Sequence, residues 1–431
     1  MLIAVFEDEV AANFHPLTLN KPIYMLRCGV TMLYEKIVDG FGGKCVLFTR
    51  ELLSKVVRDR ASGLDYVVGV DDLEALALGG DVLLVNGRWL FDGRLLRIND
   101  EVLAVKGGEL VYAHVKGANM RKLVAGCGGL PDLIKKLRSE LSTVRLDDAE
   151  LLRYPWDLIE HNHRQLRRDF ERVKSRGSWR EELGMPGVYL VGEKEDLLIS
   201  RTARVYPCTV LDSSEGPIII DDDAVIMPHS YVKGPCYIGK RSWITGGKIS
   251  GTSIGPVCRV GGEVEDSIIH GFSNKYHAGF LGHSYVGEWV NLGALTTTSD
   301  LKNDYSSVEV PVGGRLVNSG KIKVGAFIGD HSKTSIGSLL ATGSVIGVMC
   351  NLVTSGEPYP KYVPPFTWYV KGQVRDWIDV ELMVKSAERM MSRRGVKMSH
   401  AEKILYRQLY EETRAEREEF ARRLLRGSYQ G

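Results

Sequence analysis

Cysteine is sparse and scattered. Seven occur in 431 residues, at Cys28, Cys45, Cys127, Cys208, Cys236, Cys258 and Cys350, and no two form a CxxC pair. That spacing argues against a zinc ribbon or a disulfide framework and points to buried, reduced thiols in a cytoplasmic protein. An excess of one charge is missing too. The 56 lysines and arginines nearly balance 54 aspartates and glutamates, for a net charge of +2. This gives no electrostatic reason to expect nucleic acid or a membrane surface as partner. No apolar run reaches the length of a membrane span, and Met1-Leu2-Ile3-Ala4-Val5-Phe6 reads as a strand, not a signal peptide. The stretch 205–355 also lacks both the 3.6-residue period of helices and the alternation of a hairpin meander.

What it has instead is a period of six. Aliphatics recur at Ile220, Ile226, Val232, Ile238 and Ile244, then after a phase change at Val286 and Leu292. The period resumes through Ile322, Ile328, Thr334, Leu340, Ile346 and Leu352. This predicts a hexapeptide parallel β-helix, a triangular coil whose inward aliphatics stack on their equivalents above and below. Glycines follow several of these positions (Gly239, Gly287, Gly293, Gly329, Gly347) and are expected to permit turn conformations that a Cβ would resist.

A chain this long needs two or more domains. Its hydrophobic content, 44%, is that of an ordinary soluble protein. Over residues 1–125, short apolar runs (Leu2–Phe6, Lys44–Phe48, Tyr66–Val68, Val82–Asn86) alternate with helical stretches (Met32–Val38, Glu51–Arg58). That alternation predicts an α/β domain with a mainly parallel sheet. A helical connector is expected over 126–187, the β-helix over 188–357 and a helical extension over 358–431. Two segments, Glu265–Gly282 and Ser299–Gly320, break the six-residue period and read as loops leaving the coil on a binding face. Trp377 to Leu425 reads as two helices broken near Gly395, with apolar stripes at Ile378, Val380, Leu382, Met383, Met390, Met391 and at Ile404, Leu405, Leu409, Tyr410. These stripes are expected to pack against a helix or a neighbouring subunit. Arg393, Arg394, Arg422 and Arg423 read as a solvated basic face.

The segment from Gly271 through His277 and Asn291 to Ala294 is rich in polar groups and runs on into Thr296-Thr297-Thr298-Ser299-Asp300-Leu301-Lys302-Asn303-Asp304-Tyr305. It resembles a GlmU-like family, in which a sugar-phosphate nucleotidyltransferase fold is fused to a left-handed β-helix acetyltransferase. It looks closest to that family's alternative bacterial and archaeal branch. His15-Pro16-Leu17-Thr18-Leu19-Asn20-Lys21-Pro22, Leu26-Arg27-Cys28-Gly29, Tyr154-Pro155-Trp156-Asp157 and Pro360-Lys361-Tyr362-Val363-Pro364 carry the resemblance along nearly the whole chain. The implied fold is a Rossmann-like α/β domain, a left-handed β-helix and a helical tail.

The implied chemistry is N-acetylation of an amino sugar phosphate by acetyl-CoA as substrate. Nucleotidyl transfer from UTP or dTTP to a sugar 1-phosphate, with Mg2+, would accompany it where it is retained. His277 matches the general base: a free amine must attack the thioester, and an imidazole suits that proton transfer. Asn291 matches an asparagine contacting the sugar or its acetyl group, with an internal asparagine ladder as the competing role. Tyr305 and Asn303 resemble a pair contacting sugar phosphate or acyl donor. Lys321, Lys323 and Asp330 are placed at the CoA cleft, and Lys21 with Arg27 at the nucleotide phosphates. The resemblance further implies a homotrimer.

The departures are specific. The family's sugar-phosphate arginine and lysine fall at Thr245 and Glu265, so Arg259, Lys248 or Lys275 would have to substitute; the family's substrate tyrosine falls at Phe280. The first strand leads into Glu7-Asp8-Glu9 where glycines normally cradle phosphates, and Arg88 stands where a magnesium aspartate is usual. The N-terminal domain therefore either binds nucleotides differently or is structural. Two other readings stand beside the transferase. One is a non-catalytic oligomeric sensor of nucleotide sugars. The other is a zinc enzyme of the γ-carbonic anhydrase type, using His277 and His283 with His229, His270 or His331.

Overall fold

The computed structural model describes residues 1–60, 66–77, 80–91, 93, 100–180, 184–354, 356–375 and 378–426. The N-terminal sheet contains β1 (Leu2–Phe6), β2 (Lys44–Thr49), β3 (Tyr66–Gly69), β4 (Val82–Asn86), β5 (Val102–Lys106), β6 (Glu109–Val115) and β7 (Thr143–Arg145). Its order is β3-β2-β1-β4-β6-β5-β7. β1 lies parallel to both β2 and β4, whereas β6 runs antiparallel to β4 and β5. The continuous apolar run Ile3-Ala4-Val5 is buried on both faces, as a central parallel strand requires. Ile3 and Val5 meet Ile37 of α1 (Leu33–Phe41) and Leu53, Val56 and Val57 of α2 (Glu51–Arg60). Ala4 and Phe6 face the opposite layer, where Leu76, Met120, Leu123, Leu133 and Leu137 come from α3 (Glu74–Ala77), α4 (Gly117–Val124) and α5 (Leu130–Glu140). The stretch from 131 to 175 is thus not wholly helical, because Thr143–Arg145 pairs with β5 and extends this sheet.

α6 (Pro155–Lys174) lies between this domain and the coils that follow. Pro155 sits in its first turn, and the Asp157 carboxylate accepts from the N–H groups of Arg153 (2.7 Å) and Tyr154 (3.0 Å). Its buried Asn162 Oδ1 accepts from Gly29 N and from Ser253 Oγ, each at 2.8 Å, tying both neighbours to one helix.

From Val188 to Val370 short strands stack in parallel, consistent with a β-helix-like fold. One inward column reads Ile199, Ile220, Ile238, Ile254, Ile269, Val286, Ile328, Ile346, Val363. A second reads Leu211, Val232, Ile249, Val264, Leu281. A third reads Val205, Ile226, Ile244, Val260 and then Lys275. Three sequence expectations change here. Glu265–Gly282 is not an excursion: Ile268–Gly271, Asn274–Lys275 and Phe280–Gly282 pair in register with the coil below. Its period was hidden because a lysine occupies an aliphatic position and the coil is short. Ile220 to Ile238 spans eighteen residues, but Ile254 to Ile269 only fifteen. Ile322 is 56% exposed and belongs to no inward column; the next coil enters near Phe327. The glycines after the aliphatics do not carry the turns either. Positive φ falls on Asp223, His229, Arg241, Phe272, Trp289 and His331, among others. Gly239 and Gly329 are needed for close stacking, since a Cβ would come within 2.7 Å of the backbone of Gly255 and Val348 respectively.

Ser299–Gly320 does leave the coil. It forms the antiparallel hairpin Glu309–Val312/Arg315–Asn318, whose Val308, Val310 and Val312 pack with Trp156 of α6, Tyr285 and Phe327. The C-terminal region holds three helices in place of the expected two: α7 (Val380–Ser392), α8 (His400–Glu412) and α9 (Arg414–Leu425). Thr413 divides the second run. Trp377 lies outside the described residues. Met383, Val384, Met391, Leu405 and Leu409 join the apolar cluster that contains α1 and α2, so α7 and α8 dock onto the N-terminal domain, and Leu382 faces solvent. Among the described residues no helix is long and apolar enough to cross a membrane.

Candidate active site

The outward side chains beside the third column form their own ladder: Trp243, Arg259, Asn274, Asn291, Lys333, Asn351, Trp368. Strand alternation explains it, because each faces opposite to its inward neighbour. Where this ladder meets the end of α7 there is a cavity of about 470 Å³, lined by Trp243, Arg259, Asn274, Tyr276, His277, Asn291 and by Arg393 and Arg394, among others. A second cavity of about 270 Å³ shares Asn274, Asn291, Arg393 and Arg394, and adds Phe272, Trp289, Lys333, Arg389 and Met390. No aspartate or glutamate lines either cavity among the described residues.

His277 is exposed at the first cavity, its ring 5.0 Å from that of Tyr276. Backbone anchors place it. Thr245 Oγ1 donates to the Tyr276 carbonyl (2.9 Å), and Lys275 Nζ donates to the carbonyls of His277 (2.9 Å) and Gly261 (2.8 Å). Lys275 therefore braces the backbone of residue 277 and does not reach the cavity. Burial pushes its ammonium down to about 8, with Glu263 opposing. Lys333 is likewise pushed down to about 8 by burial, and Cys350 opposes that shift. Asn291 Oδ1 accepts from Asn274 Nδ2 (3.2 Å) within this outward ladder, and the residue also lines the cavity.

Of the three cations considered as substitutes for the missing phosphate ligands, Arg259 alone lines the cavity. It lies 4.1 Å over the Trp243 ring. Lys248 pairs instead with Glu265 and Glu263 on another face. Arg393 and Arg394 are not a merely solvated face. They form part of the cavity wall, and Arg394 Nη2 donates to Asn274 Oδ1 at 2.8 Å. Sequence reading missed them because only the fold brings residues 120 positions apart together. Arg422 and Arg423, by contrast, pair with Glu419 on α9.

The remaining expected site residues lie elsewhere. Tyr305 (69% exposed) and Asn303 sit beside the hairpin insertion, outside both cavities. Lys321 pairs with Glu160 of α6 at 3.0 Å, and Lys323 belongs to the same edge, near Asp266. Asp330 is buried, 2.6 Å from Lys21 Nζ, which also lies 3.1 Å from Glu288. Arg60 joins Glu288 (3.0 Å) to Glu402 of α8 (2.7 Å). This ionic network joins the N-terminal domain, the coils and the tail. Burial alone would raise the Glu288 carboxyl; Lys21 and then Arg60 outweigh that and hold it well below its usual range. Arg27 is also buried, donating to the Val30 and His270 carbonyls.

At the carboxyl ends of β1 and β4, where open parallel sheets bind ligands, the unusual acids and the unusual arginine neutralise each other. Arg88, wholly buried, contacts Asp8 through Nε and Nη2 at 2.7 Å and Glu109 at 2.7 Å; Glu7 takes Arg50 at 2.8 Å. The oxygens that could ligate Mg2+ are thus already held by guanidinium groups, and the set does not fit a magnesium site. The candidate zinc histidines do not converge. His270 contacts Tyr285 Oη, His283 contacts Asp300, and His331 stacks on Trp289 and meets Tyr406 edge-on. Among the described residues no group of three or more His, Cys, Asp or Glu is placed to hold a metal.

Comparison with known proteins adds an independent line. Residues 3–177 match the family model described as sugar nucleotidyl transferase. A bifunctional sugar-1-phosphate nucleotidylyltransferase/acetyltransferase of Sulfurisphaera tokodaii is 36% identical over 150 residues, 32% of this chain and 35% of that protein. The bifunctional protein GlmU of Methanocaldococcus jannaschii is 28% identical over 196 residues, 46% of this chain and 41% of its own length. That of Methanococcus aeolicus is 26% identical over 395 residues, 78% of this chain and 90% of its own length. In the first two the matched stretch thus spans well under half of the relative. Together the matches show similarity to GlmU-like proteins at low identity.

Proposed function

We propose that the cavity beside His277 transfers an acetyl group from acetyl-CoA to the amine of an amino sugar phosphate. The carrying observation is an imidazole, fixed through its own backbone, at the mouth of a cavity that holds arginines and no carboxylate. In the reaction the amine nitrogen attacks the thioester carbonyl carbon and the C–S bond breaks. The amine proton passes to His277 and from there to the departing thiolate, which leaves as the CoA thiol. Asn291 supplies an amide to orient the acceptor. Lys275 is a positioning residue for the loop. Lys21 and Arg27 act as structural cations in this reading, and the N-terminal domain is a platform with its nucleotide crevice closed by internal ion pairs. The coils are read as left-handed, and the assembly as a cytoplasmic homotrimer. Exposed Leu295, Ile336 and Leu339 supply apolar surface for a neighbouring copy.

The test is mass detection of every product after incubation with acetyl-CoA, UTP or dTTP, Mg2+ and a panel of hexose and hexosamine 1-phosphates. The expected result is an N-acetylated amino sugar phosphate and free CoA, with no pyrophosphate release. A nucleotide sugar in the product would show the N-terminal crevice to be open. Failure to consume any thioester would favour the non-catalytic sensor.

A further inference from the structure

Arg259, Arg393 and Arg394 come from two parts of the chain and meet without a carboxylate between them. Arg259 sits on the coil ladder, while Arg393 and Arg394 follow the last turn of α7. Cations at a helix C-terminus have a bland role, complementing the macrodipole. Here, however, Arg394 reaches across to Asn274 on the coil and both arginines line the two cavities. Among the described residues no carboxylate pairs with any of the three. Burial, then Arg394, lowers Arg259 to about 10, and burial, then Arg393, lowers Arg394. Arg60 and Arg88, by contrast, are each paired with carboxylates. Arg259 and Arg394 are half-buried and Arg393 is exposed beside them; like charges gathered so are costly unless an anion completes them, and guanidinium forks match phosphate oxygens two at a time.

We propose that Arg259, Arg393 and Arg394 form a phosphate clamp, so that the helical tail contributes directly to ligand binding, and that a phosphate ester enters where the two cavities join. Lys333 and Arg389 extend the positive wall into the second cavity, beside the stacked Phe272 and Trp289 rings (4.4 Å, 19°). The choice of ligands rests on the acetyl-transfer reading, in which both substrates carry phosphate: the donor on its nucleotide end and the acceptor on its sugar. Placing the clamp on the tail explains why Thr245 and Glu265 can stand where cations were expected. Lys248 neutralises Glu265, and the positive charge comes from residues more than a hundred positions later.

The experiment is calorimetric titration of the full chain with inorganic pyrophosphate, acetyl-CoA and glucosamine 1-phosphate in separate arms. Variants are the pair Arg393→Ala/Arg394→Ala, Arg259→Gln alone, and Arg422→Ala/Arg423→Ala as a basic pair outside the cavity. Pyrophosphate and at least one substrate should bind the wild type. Both clamp variants should weaken that binding at least about tenfold, the loss of one charge-assisted contact, and Arg422→Ala/Arg423→Ala should keep it. Loss confined to acetyl-CoA assigns the clamp to the donor; loss confined to the sugar phosphate assigns it to the acceptor. Unchanged affinity in Arg259→Gln and in the tail pair, or an equal loss in Arg422→Ala/Arg423→Ala, overturns the clamp. Should the clamp variants lose binding while the wild type consumes no thioester, the clamp stands and the acetyl-transfer reading falls. Should the wild type turn over while the clamp variants bind normally, the clamp falls alone.

Discussion

His277→Ala is expected to lower acetyl transfer about 10²- to 10⁴-fold, the usual contribution of a positioned general base, with no change in the unfolding midpoint. The two halves of that expectation have separate causes. The imidazole is exposed and touches only Tyr276 among the ring contacts, so its removal leaves no buried cavity. The backbone of residue 277 is held by Lys275 whatever side chain it carries. The amine, by contrast, loses the group that takes its proton. At high pH, where more amine is already deprotonated, the deficit should narrow, because solvent hydroxide replaces the base. Steady-state thioester consumption across pH checks this. An undiminished rate in the variant would move the base to another residue.

Lys21→Met should have the largest effect on stability. Lys21 stands between Glu288 and Asp330, all three largely out of water, and Asn20 Nδ2 and Glu288 N complete the Asp330 shell at 2.9 Å each. Removing one member of a buried pair costs about 3–5 kcal/mol, because the partner charge stays behind. Arg60 still reaches Glu288 but does not pair with Asp330, so Asp330→Asn in the Lys21→Met background should recover part of the loss. The pH dependence has a definite sign. A glutamate held below its ordinary 4.5 contributes stability that is full above that value and fades as pH falls beneath it. Lys21→Met should therefore destabilise most near neutrality and flatten the acid-side slope. Denaturant midpoints from pH 3 to 8 read this directly. A neutral effect would mean that the domain interface does not depend on the network.

Ile220, Ile238 and Ile346 announced the coil in the sequence because six-residue spacing is local, and stacking repeats that spacing without outside help. The coil through Lys275 could not be read that way. Its inward lysine is paid for by two backbone carbonyls that no periodicity records. His277 and Asn291 were legible through a motif lying within one stretch of chain, and the fold does bring them to one cavity. Arg393 and Arg394 were not, because a basic pair at a helix end looks alike whether it faces water or a cleft. Lys21 and Asp330 each resembled a ligand contact, but they face one another. Only a contact across three hundred positions separates a phosphate lysine from a structural one. Glu7, Asp8 and Arg88 were visible as departures from a nucleotide site, and their pairing makes those departures compensatory.

The most direct measurement is a crystal structure of the protein with bound CoA. The account predicts the pantetheine sulfur in the cavity between Asn291 and the end of α7, with His277 within reach of the thiol. A sulfur found at the Lys321–Lys323 edge, or anywhere that leaves His277 facing only water, would contradict it.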